Sequence, residues 1–325
     1  MKVVTVIIGI IILLLNFSCK KQNQVNVKIE RFDTDLYQLL TNNIDSNFEN
    51  SFVEKYADFV PIYIGGVLRL QNRGNEKSMA ILHSYFQDST LMHLYADEQA
   101  KFRDVSAIER SLSEAISTYK LWFPKDSVPT FRMHVSGLTQ SVITSGSVVS
   151  ISGDKYLGKD YPLYKSYFYE YQLPTMQTEN VVCDALKAFL EGRFPEANAN
   201  ILVDRMIYQG VVSVTVEQML PQQDAKNLLG YEDKEFEWLT KNEKNIWIYM
   251  VESEQLYTSD QLTITKYMEE APFTSFFGQS SPARIGRFIG YKIVKSYLKK
   301  KNLPISSLLP RFDAKNVLAE SGYRP

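Results

Sequence analysis

The stretch SPARIGRFIGYKIVKSYLKKK, residues 281–301, has the pattern of one long helix near the end of the chain. Ser281 suits an N-cap, and Pro282 suits the first helical position, where its missing N–H costs nothing. Gly286 and Gly290 form a GxxxG pattern, which in a helix allows a close approach of a neighbouring backbone. The stretch therefore predicts a helix that packs tightly inside an α-helical core.

The charges in this helix exclude a membrane span and give no sign of a ligand. Arg284, Arg287 and Lys292 interrupt the apolar positions, so the segment cannot lie in lipid. The lysines at positions 299–301 fall in the last turn, where cations oppose the helix dipole. We therefore predict a solvated C-terminal turn there.

Most of the remaining chain has helical periodicity, and one region alternates like a sheet. Residues 29–40, IERFDTDLYQLL, and residues 104–123, with Asp104 as a plausible N-cap, place apolar side chains on one helical face. TFRMHV, residues 130–135, and SVVSIS, residues 147–152, read instead as strands joined through a turn that contains glycine. The sequence therefore predicts an α+β fold, mostly α-helical with a small β-sheet.

The N-terminus has the parts of a bacterial lipoprotein signal. Lys2 precedes an uncharged apolar run, residues 3–15, which is shorter than the roughly 20 residues of a membrane span. Cys19 then follows a small residue, which resembles a lipobox, although Asn16 stands where an aliphatic residue is usual. We predict a lipoprotein signal peptide over residues 1–18 and fatty acyl chains such as palmitate on Cys19, which would hold the protein on a membrane. The alternative is a plain secreted protein with a leftover cysteine.

The residues after this cysteine suggest a tether followed by a single globular domain. Residues 19–28 are polar without a helical period, so we predict a lipidated tether there and one domain over residues 29–325. Once Cys19 is acylated, Cys183 has no partner for an intramolecular disulfide, and the core alone must stabilise the fold. With 45% hydrophobic residues the composition allows such a core. A net charge of -1 gives no reason to expect a nucleic-acid partner.

Standard motifs of enzyme chemistry are absent from the sequence. The three histidines, His83, His93 and His134, lack the i, i+4 spacing of a zinc-binding HExxH helix. There is no Walker loop, no GxGxxG and no GxSxG elbow. The sequence therefore predicts no cofactor and favours a protein that is not an enzyme.

Three longer segments carry a resemblance to a known family. They are ISGDKYLGKDYPLY (151–164), DRMIYQGVVSVTVEQMLP (204–221) and APFTSFFGQSSPARIGRFIGYKIVKSYL (271–298). Together with the lipobox they resemble the gliding-motility lipoprotein family of the GldB type. The resemblance implies an envelope lipoprotein of Bacteroidetes that is associated with surface motility and with the machinery that exports and moves adhesins. No acidic run follows Cys19, so we expect an outer-membrane anchor facing the periplasm, with other envelope proteins as partners.

A fainter likeness is to predicted zinc peptidases of the gluzincin kind. Their metal helix matches Cys183-Asp184-Ala185-Leu186-Lys187, and their Glu-Gly pair matches Gln209-Gly210. Lys187 at a ligand position repels zinc, and Gln209 replaces a carboxylate. This likeness implies a degenerate gluzincin-like fold that binds no metal.

Two functions remain open from the sequence. The first is a non-catalytic accessory or docking component, in which five aromatic residues build a groove or contact surface, although core packing is the alternative for each: Trp238, Trp247, Phe273, Phe276 and Phe277. The second is a degenerate or altered metallopeptidase-like hydrolase that acts on envelope peptides or glycans. In that case Asp184 would be a base or Cys183 a nucleophile.

Overall fold

A computed structural model describes residues 24–42, 46–70, 77–196 and 200–325. The predicted signal peptide, residues 1–18, and the predicted lipidation site, Cys19, lie outside the described residues. Within the described ranges, no helix combines the length and the apolar character needed to cross a membrane.

The described part of the chain contains one mixed sheet of four strands: β1 (Ile29–Arg31), β2 (Thr130–His134), β3 (Val142–Ser145) and β4 (Val148–Ser152). The strand order is β1-β2-β4-β3, with β2 parallel to both β1 and β4 and with β3 antiparallel to β4. Phe131 pairs with Ile29 on one side and with Val149 on the other. As expected of an inner strand in a parallel arrangement, β2 is buried on both faces.

The prediction that residues 29–31 begin a helix is wrong, because these residues form β1. Glu30 looks unsuited to a sheet, yet its carboxylate pairs with the Arg132 guanidinium of β2 at 2.6 Å. This ion pair joins the two residues that face each other in the β1–β2 register. The cross-strand partner, which is 102 positions away in the sequence, makes this short charged segment a strand.

The described part of the segment between β1 and β2 folds into six helices, of which the first five contribute to a core with an aromatic cluster and the last packs in the main core. Phe32 is fully buried, and the rings of Phe52, Tyr56, Phe59 and Tyr63 lie with centroids 4.8–5.2 Å from its own. The helices are α1 (Phe32–Thr41), α2 (Ser46–Lys55), α3 (Val60–Ile62) with a π-helical continuation (Tyr63–Val67), α4 (Ser78–Tyr85), α5 (Ser89–Lys101) and α6 (Ser106–Trp122).

Helix α6 begins near its predicted start and also fixes the first described residues. Asp104 accepts a hydrogen bond from the backbone N–H of Ser106, although the N-cap position itself belongs to Val105. On another part of this helix, Ser113 Oγ accepts from the N–H of Val27 at 3.0 Å, and Val27 is 3% exposed. The last residues of the predicted tether thus lie against α6.

The second half of the chain is mainly helical: α7 (Tyr164–Tyr167), α8 (Val181–Arg193), α9 (Leu202–Met219), α10 (Ala225–Leu229), α11 (Asp233–Glu252), α12 (Gln261–Met268), α13 (Ile285–Lys301) and α14 (Ala314–Ser321). Short 3-10 turns stand between some of them: Gly153–Lys155, Glu170–Thr175, Thr178–Asn180, Gln255–Tyr257 and Ile305–Ser307. The predicted mostly helical α+β fold with a small sheet is therefore confirmed.

Helices α9 and α13 cross backbone to backbone at two glycines. A Cβ added at Gly290 would collide with the carbonyl of Met206, and a Cβ added at Gly210 would collide with the carbonyl of Gly290. Only glycine fits this contact, so the GxxxG pattern does mark close helix packing, with Gly210 as its counterpart.

The N-cap predicted at Ser281 is wrong, because α13 begins at Ile285 after Arg284, which has a left-handed φ of 57°. Ser281 instead closes the loop that follows α12, since its Oγ lies 2.7 Å from the carbonyl oxygen of Gly278. Thr274 Oγ1 donates to the carbonyl of Pro282 at 2.8 Å in the same loop. The Ser281 hydroxyl, which the sequence suggests as an N-cap, thus forms a buried contact within this loop.

Candidate functional site

Helix α8 has an apolar face and a charged face. Cys183, Leu186 and Leu190 are buried in the core. Asp184, Lys187 and Glu191 are spaced three and four residues apart, so they lie on the same side of the helix. The charged face is therefore a direct consequence of helical periodicity.

This charged face forms one wall of a cavity of about 300 Å³. Helix α9, which crosses nearby, contributes Gln209, and the first turn of α13 contributes Arg287 next to the N-cap residue Arg284. Three of the four residues singled out in the sequence, Asp184, Lys187 and Gln209, thus line the same cavity.

A buried carboxylate holds the loop that forms another wall of the cavity. Asp154 follows β4, is 0% exposed, and accepts hydrogen bonds from the backbone N–H groups of Ser136 at 2.9 Å and Leu138 at 2.6 Å. Several hydrogen bonds to the charged form of a carboxylate fix its surroundings strongly. The next two residues, Lys155 and Tyr156, consequently have defined positions in the cavity wall.

Asp184 has one hydrogen-bond donor and one distant cation. The Tyr156 hydroxyl donates to its Oδ2 at 3.0 Å, and Lys187 Nζ lies 3.9 Å from its Oδ1. Burial raises the pKa of the Asp184 carboxyl above its ordinary value, while Lys187 and the tyrosine hydroxyl oppose that shift. Desolvation is the stronger effect.

Gln209 and Glu191 connect α9 to α8. Gln209 Nε2 donates to Glu191 Oε1 at 3.0 Å. Gln209 precedes Gly210, whose contact with α13 brings α9 close to that helix. The side chain at position 209 therefore contacts the charged face of α8 and lines the same cavity as Arg287 of α13.

Arg284 and Arg287 lie one helical turn apart. Arg284 donates from Nη2 to the carbonyl of Gly230 at 2.6 Å, while its Nε is buried without a hydrogen-bond partner among the described residues. Arg287 donates from Nε to the carbonyl of Met268 at 2.8 Å. Burial and the neighbouring Arg284 charge both lower the pKa of Arg287 from its ordinary value.

Cys183 faces the core and does not line the cavity. Its side chain belongs to the core and the residue is 2% exposed. Burial raises the pKa of the thiol to about 11, so the thiolate is scarce at neutral pH. The structure thus separates this cysteine from Asp184, although the two residues are adjacent in the sequence.

The donor set around the cavity does not suit a metal ion. Nowhere in the described ranges do three or more Cys, His, Asp and Glu side chains form a group that could hold one. Among the candidate residues, Lys187 is a cation and Gln209 offers only an amide. His134 is buried elsewhere, with Nδ1 2.8 Å from Ser150 Oγ, and burial lowers its pKa to about 3.

The aromatic residues proposed as a contact surface pack mainly on one another and on the core. Phe276 stacks on Tyr267 with centroids 5.0 Å apart, and the ring of Phe277 lies 5.2 Å from that of Tyr249. Trp238, Trp247, Phe276 and Phe277 are all partly buried against the main core. PFTSFFG does lie in a loop, as its proline and glycine indicate.

Sequence reasoning missed several residues of the cavity. Glu191 could have been found from its spacing of seven residues after Asp184, which keeps it on the same helical face. Arg284 and Arg287 were noted only as charges that exclude a membrane span. No local signal assigns them to the cavity, because the α9–α13 crossing brings them there.

Comparison with known proteins gives one family match. The family model described as gliding motility protein GldB matches residues 18–325. Searches of curated proteins and of solved structures found no match.

Proposed function

The chain belongs to the GldB family of gliding-motility proteins, and we propose that it is a lipid-anchored accessory component that docks onto other envelope proteins. The anchor would be the acylated Cys19, placed in the outer membrane of a bacterium of the Bacteroidetes and facing the periplasm. The partners would belong to the machinery of motility or adhesin export.

One observation carries the non-catalytic part of this proposal. Asp184, Lys187 and Gln209 share one cavity, yet Lys187 and Gln209 stand where the faint likeness to zinc peptidases places metal ligands. An ammonium group repels a metal ion and an amide binds it weakly, so the cavity suits recognition better than metal-assisted hydrolysis.

No observation favours the hydrolase alternative. Asp184 has a tyrosine hydroxyl and a lysine as neighbours, and neither supplies a metal-bound water for it to activate. Cys183 is a thiol buried in the core and does not line the cavity. We therefore propose no reaction at this site.

The anchor can be tested by changing the lipidation residue. Cys19→Ala should release or mislocalise the protein, because two or three acyl chains supply the membrane affinity. Fractionation of membranes and soluble contents followed by immunoblotting measures this. Cys183→Ala is the matched control, since it removes the other cysteine and should leave the protein in the membrane fraction. Unchanged fractionation of Cys19→Ala would refute the anchor.

The docking role can be tested by capture from membranes. The full-length tagged protein would be cross-linked mildly in cells, solubilised in detergent and purified, and retained proteins identified by mass spectrometry. We expect a reproducible set of envelope proteins at near-stoichiometric amounts. Recovery of the protein alone, under cross-linking conditions that capture a known envelope complex, would contradict the proposal.

A further inference from the structure

The cavity has a surplus of positive charge. It is lined by four basic side chains, Lys155, Lys187, Arg284 and Arg287. Only three acidic side chains of the described residues line it: Asp184, Glu191 and Glu270. The Nζ of Lys155 lies over the ring of Phe168, 3.8 Å from its centroid, and has no carboxylate within ion-pair distance in the described ranges. One negative charge on a ligand would balance this lining.

The two arginines that face carboxylates form only long ion pairs with them. Arg284 Nη1 lies 3.9 Å from Glu270 Oε1, and Arg287 Nη2 lies 3.7 Å from Glu269 Oε2. Charge-assisted hydrogen bonds between such groups are normally about 2.7–2.9 Å long. Both glutamates are about half exposed, with side chains 44% and 53% accessible, whereas Arg284 is only 12% accessible. The acids therefore lie nearer solvent than the guanidinium groups.

The Arg284 and Arg287 pair has unused capacity to bind an anion. Arg284 Nε is buried and lacks an acceptor within the described part of the chain, which is costly for a charged donor. The two guanidinium groups also repel each other across one turn of α13. A carboxylate bound beside them would pair with the guanidinium groups and relieve this repulsion.

The cavity continues into a neighbouring one, which indicates an extended ligand. Asn180, Asn227 and Gly230 line both this cavity and a second one of about 250 Å³. The Asn227 side chain offers both donors and an acceptor, as peptide groups require. Asn180 Nδ2 already donates to the Thr175 carbonyl at 2.8 Å, so Asn180 offers its Oδ1 as an acceptor. The two cavities together form one groove, and neither arginine lines the second cavity. The charged end of a ligand would therefore lie at the end of the groove that contains Arg284 and Arg287.

We propose that this groove binds the C-terminal residues of a peptide chain, with the terminal carboxylate held by Arg284 and Arg287. The preceding peptide groups lie along Asn180 and Asn227 towards the second cavity. A single carboxylate matches the surplus of one positive charge in the first cavity, whereas a phosphate dianion exceeds it. The second cavity has the acidic residues Glu179, Glu232 and Asp233 against Lys226, so it does not suit the charged end of the ligand. The inference deepens the proposed docking role by naming the chemistry of a partner.

The test uses the full-length protein in detergent, immobilised through a tag. Pools of random N-acetylated hexapeptides, ending either in a free carboxylate or in a carboxamide, would be passed over it and the retained peptides quantified by mass spectrometry. We expect the free-acid pool to be retained at least about tenfold better, because the amide cannot pair with the guanidinium groups. Equal retention of the two pools, or retention of neither, would overturn the proposal.

Variants connect this preference to the arginine pair. Arg287→Gln should abolish the preference for free acids, Arg287→Lys should keep part of it, and Arg311→Gln, at an exposed position, should leave it unchanged. Arg284 is avoided as a variant because it is the more buried of the two arginines. Arg287 also holds the Met268 carbonyl, so the fold of its variants is checked as well. A preference that survives in Arg287→Gln, with circular dichroism like that of the parent protein, would refute the assignment.

Inorganic phosphate separates a peptide groove from a simple anion site. If 10 mM phosphate raises the melting temperature as much as the retained peptides do, and also displaces them fully, the site binds small anions and the proposal is wrong. Failure of peptide binding would not remove the docking role, because the membrane capture experiment could still recover partners through another surface.

Discussion

Glu98 is a carboxyl group buried in the fold without full hydrogen bonding. It is 0% exposed, its Oε2 accepts from Gln99 Nε2 at 2.8 Å, and its Oε1 has no partner among the described residues. Asp33 and Asp154 are also fully buried, and their charges repel that of Glu98. Burial first, and these neighbours second, raise the pKa of Glu98 well above its ordinary value.

The protonation of Glu98 predicts how stability depends on pH. The raised pKa favours the neutral form of this group in the folded state, whereas the unfolded chain ionises it above about pH 4.3, so its contribution to stability is lost as pH rises from there. Glu98→Gln copies the neutral form and should raise the free energy of unfolding at pH 7 by roughly 1–3 kcal/mol.

Urea unfolding of the parent, Glu98→Gln and Glu114→Gln between pH 4 and pH 8 measures this effect. The gain from Glu98→Gln should grow with pH, and the exposed Glu114 should show no such trend. A gain that stays constant or shrinks as pH rises would show that Glu98 is ionised in the fold.

The burial of Cys183 predicts that its thiol reacts slowly with thiol reagents in the native state. It is 2% exposed and burial raises its pKa to about 11, so maleimide at pH 7 should modify it roughly 100-fold or more slowly than in the unfolded chain. Mass spectrometry of the Cys19→Ala protein, with and without guanidinium chloride, follows this reaction. Rapid labelling of the folded protein would reveal an accessible thiol.

At the scale of elements, periodicity predicted the helices better than their starts. Residues 104–123 gave α6 within two residues at its N-terminus, and β2 and β4 were found from alternation. The strand β1 was missed because its partner Arg132 is distant in sequence. Local sequence rules describe the interior of a helix. The start of α13 at Ile285 depends instead on the preceding loop, in which Ser281 Oγ contacts the Gly278 carbonyl.

The α9–α13 crossing predicts a large effect of one methyl group. Gly290→Ala would place a Cβ against the Met206 carbonyl, which is backbone and cannot move without shifting the helix. We expect the free energy of unfolding to fall by about 1–3 kcal/mol or more. Gly65→Ala is the control, since no heavy atom of the described residues lies within 4 Å of a Cβ there.

Thermal unfolding of the two glycine variants measures this effect. Gly290→Ala should lower the melting temperature clearly and Gly65→Ala should change it little. The same variant should weaken peptide retention, because the crossing brings Gln209 of α9 and Arg287 of α13 into the lining of one cavity. A melting temperature of Gly290→Ala equal to that of the parent would show that the helices can separate freely.

For the whole molecule, the sequence predicted the candidate site only in part. Asp184, Lys187 and Gln209 came from a resemblance, and the cavity contains all three. Arg284 and Arg287 could not be predicted, because their position depends on two helices that are far apart in sequence and meet at glycines. Residues that share one face of a helix can be predicted from their spacing in the sequence. A cavity lined by several helices and loops can be described only when the fold is known.

Asp184 distinguishes the docking role from catalysis in the whole protein. Asp184→Asn keeps the shape and an acceptor for the Tyr156 hydroxyl, and it removes a negative charge from the cavity. We therefore expect affinity for free-acid peptides to rise roughly threefold, since a repulsive charge near the carboxylate is lost. A hydrolase that uses Asp184 as a base would instead lose its function with the same change.

Two measurements on Asp184→Asn separate these outcomes. Fluorescence anisotropy with a labelled peptide from the retained pool gives the affinity, with exposed Asp160→Asn as the control. Complementation of a strain that lacks the gene gives the cellular function. Stronger binding with full complementation supports recognition without chemistry, because the carboxylate is then an obstacle to the ligand. If a stably folded, membrane-bound Asp184→Asn protein fails to complement the strain, the result would support a catalytic role for Asp184.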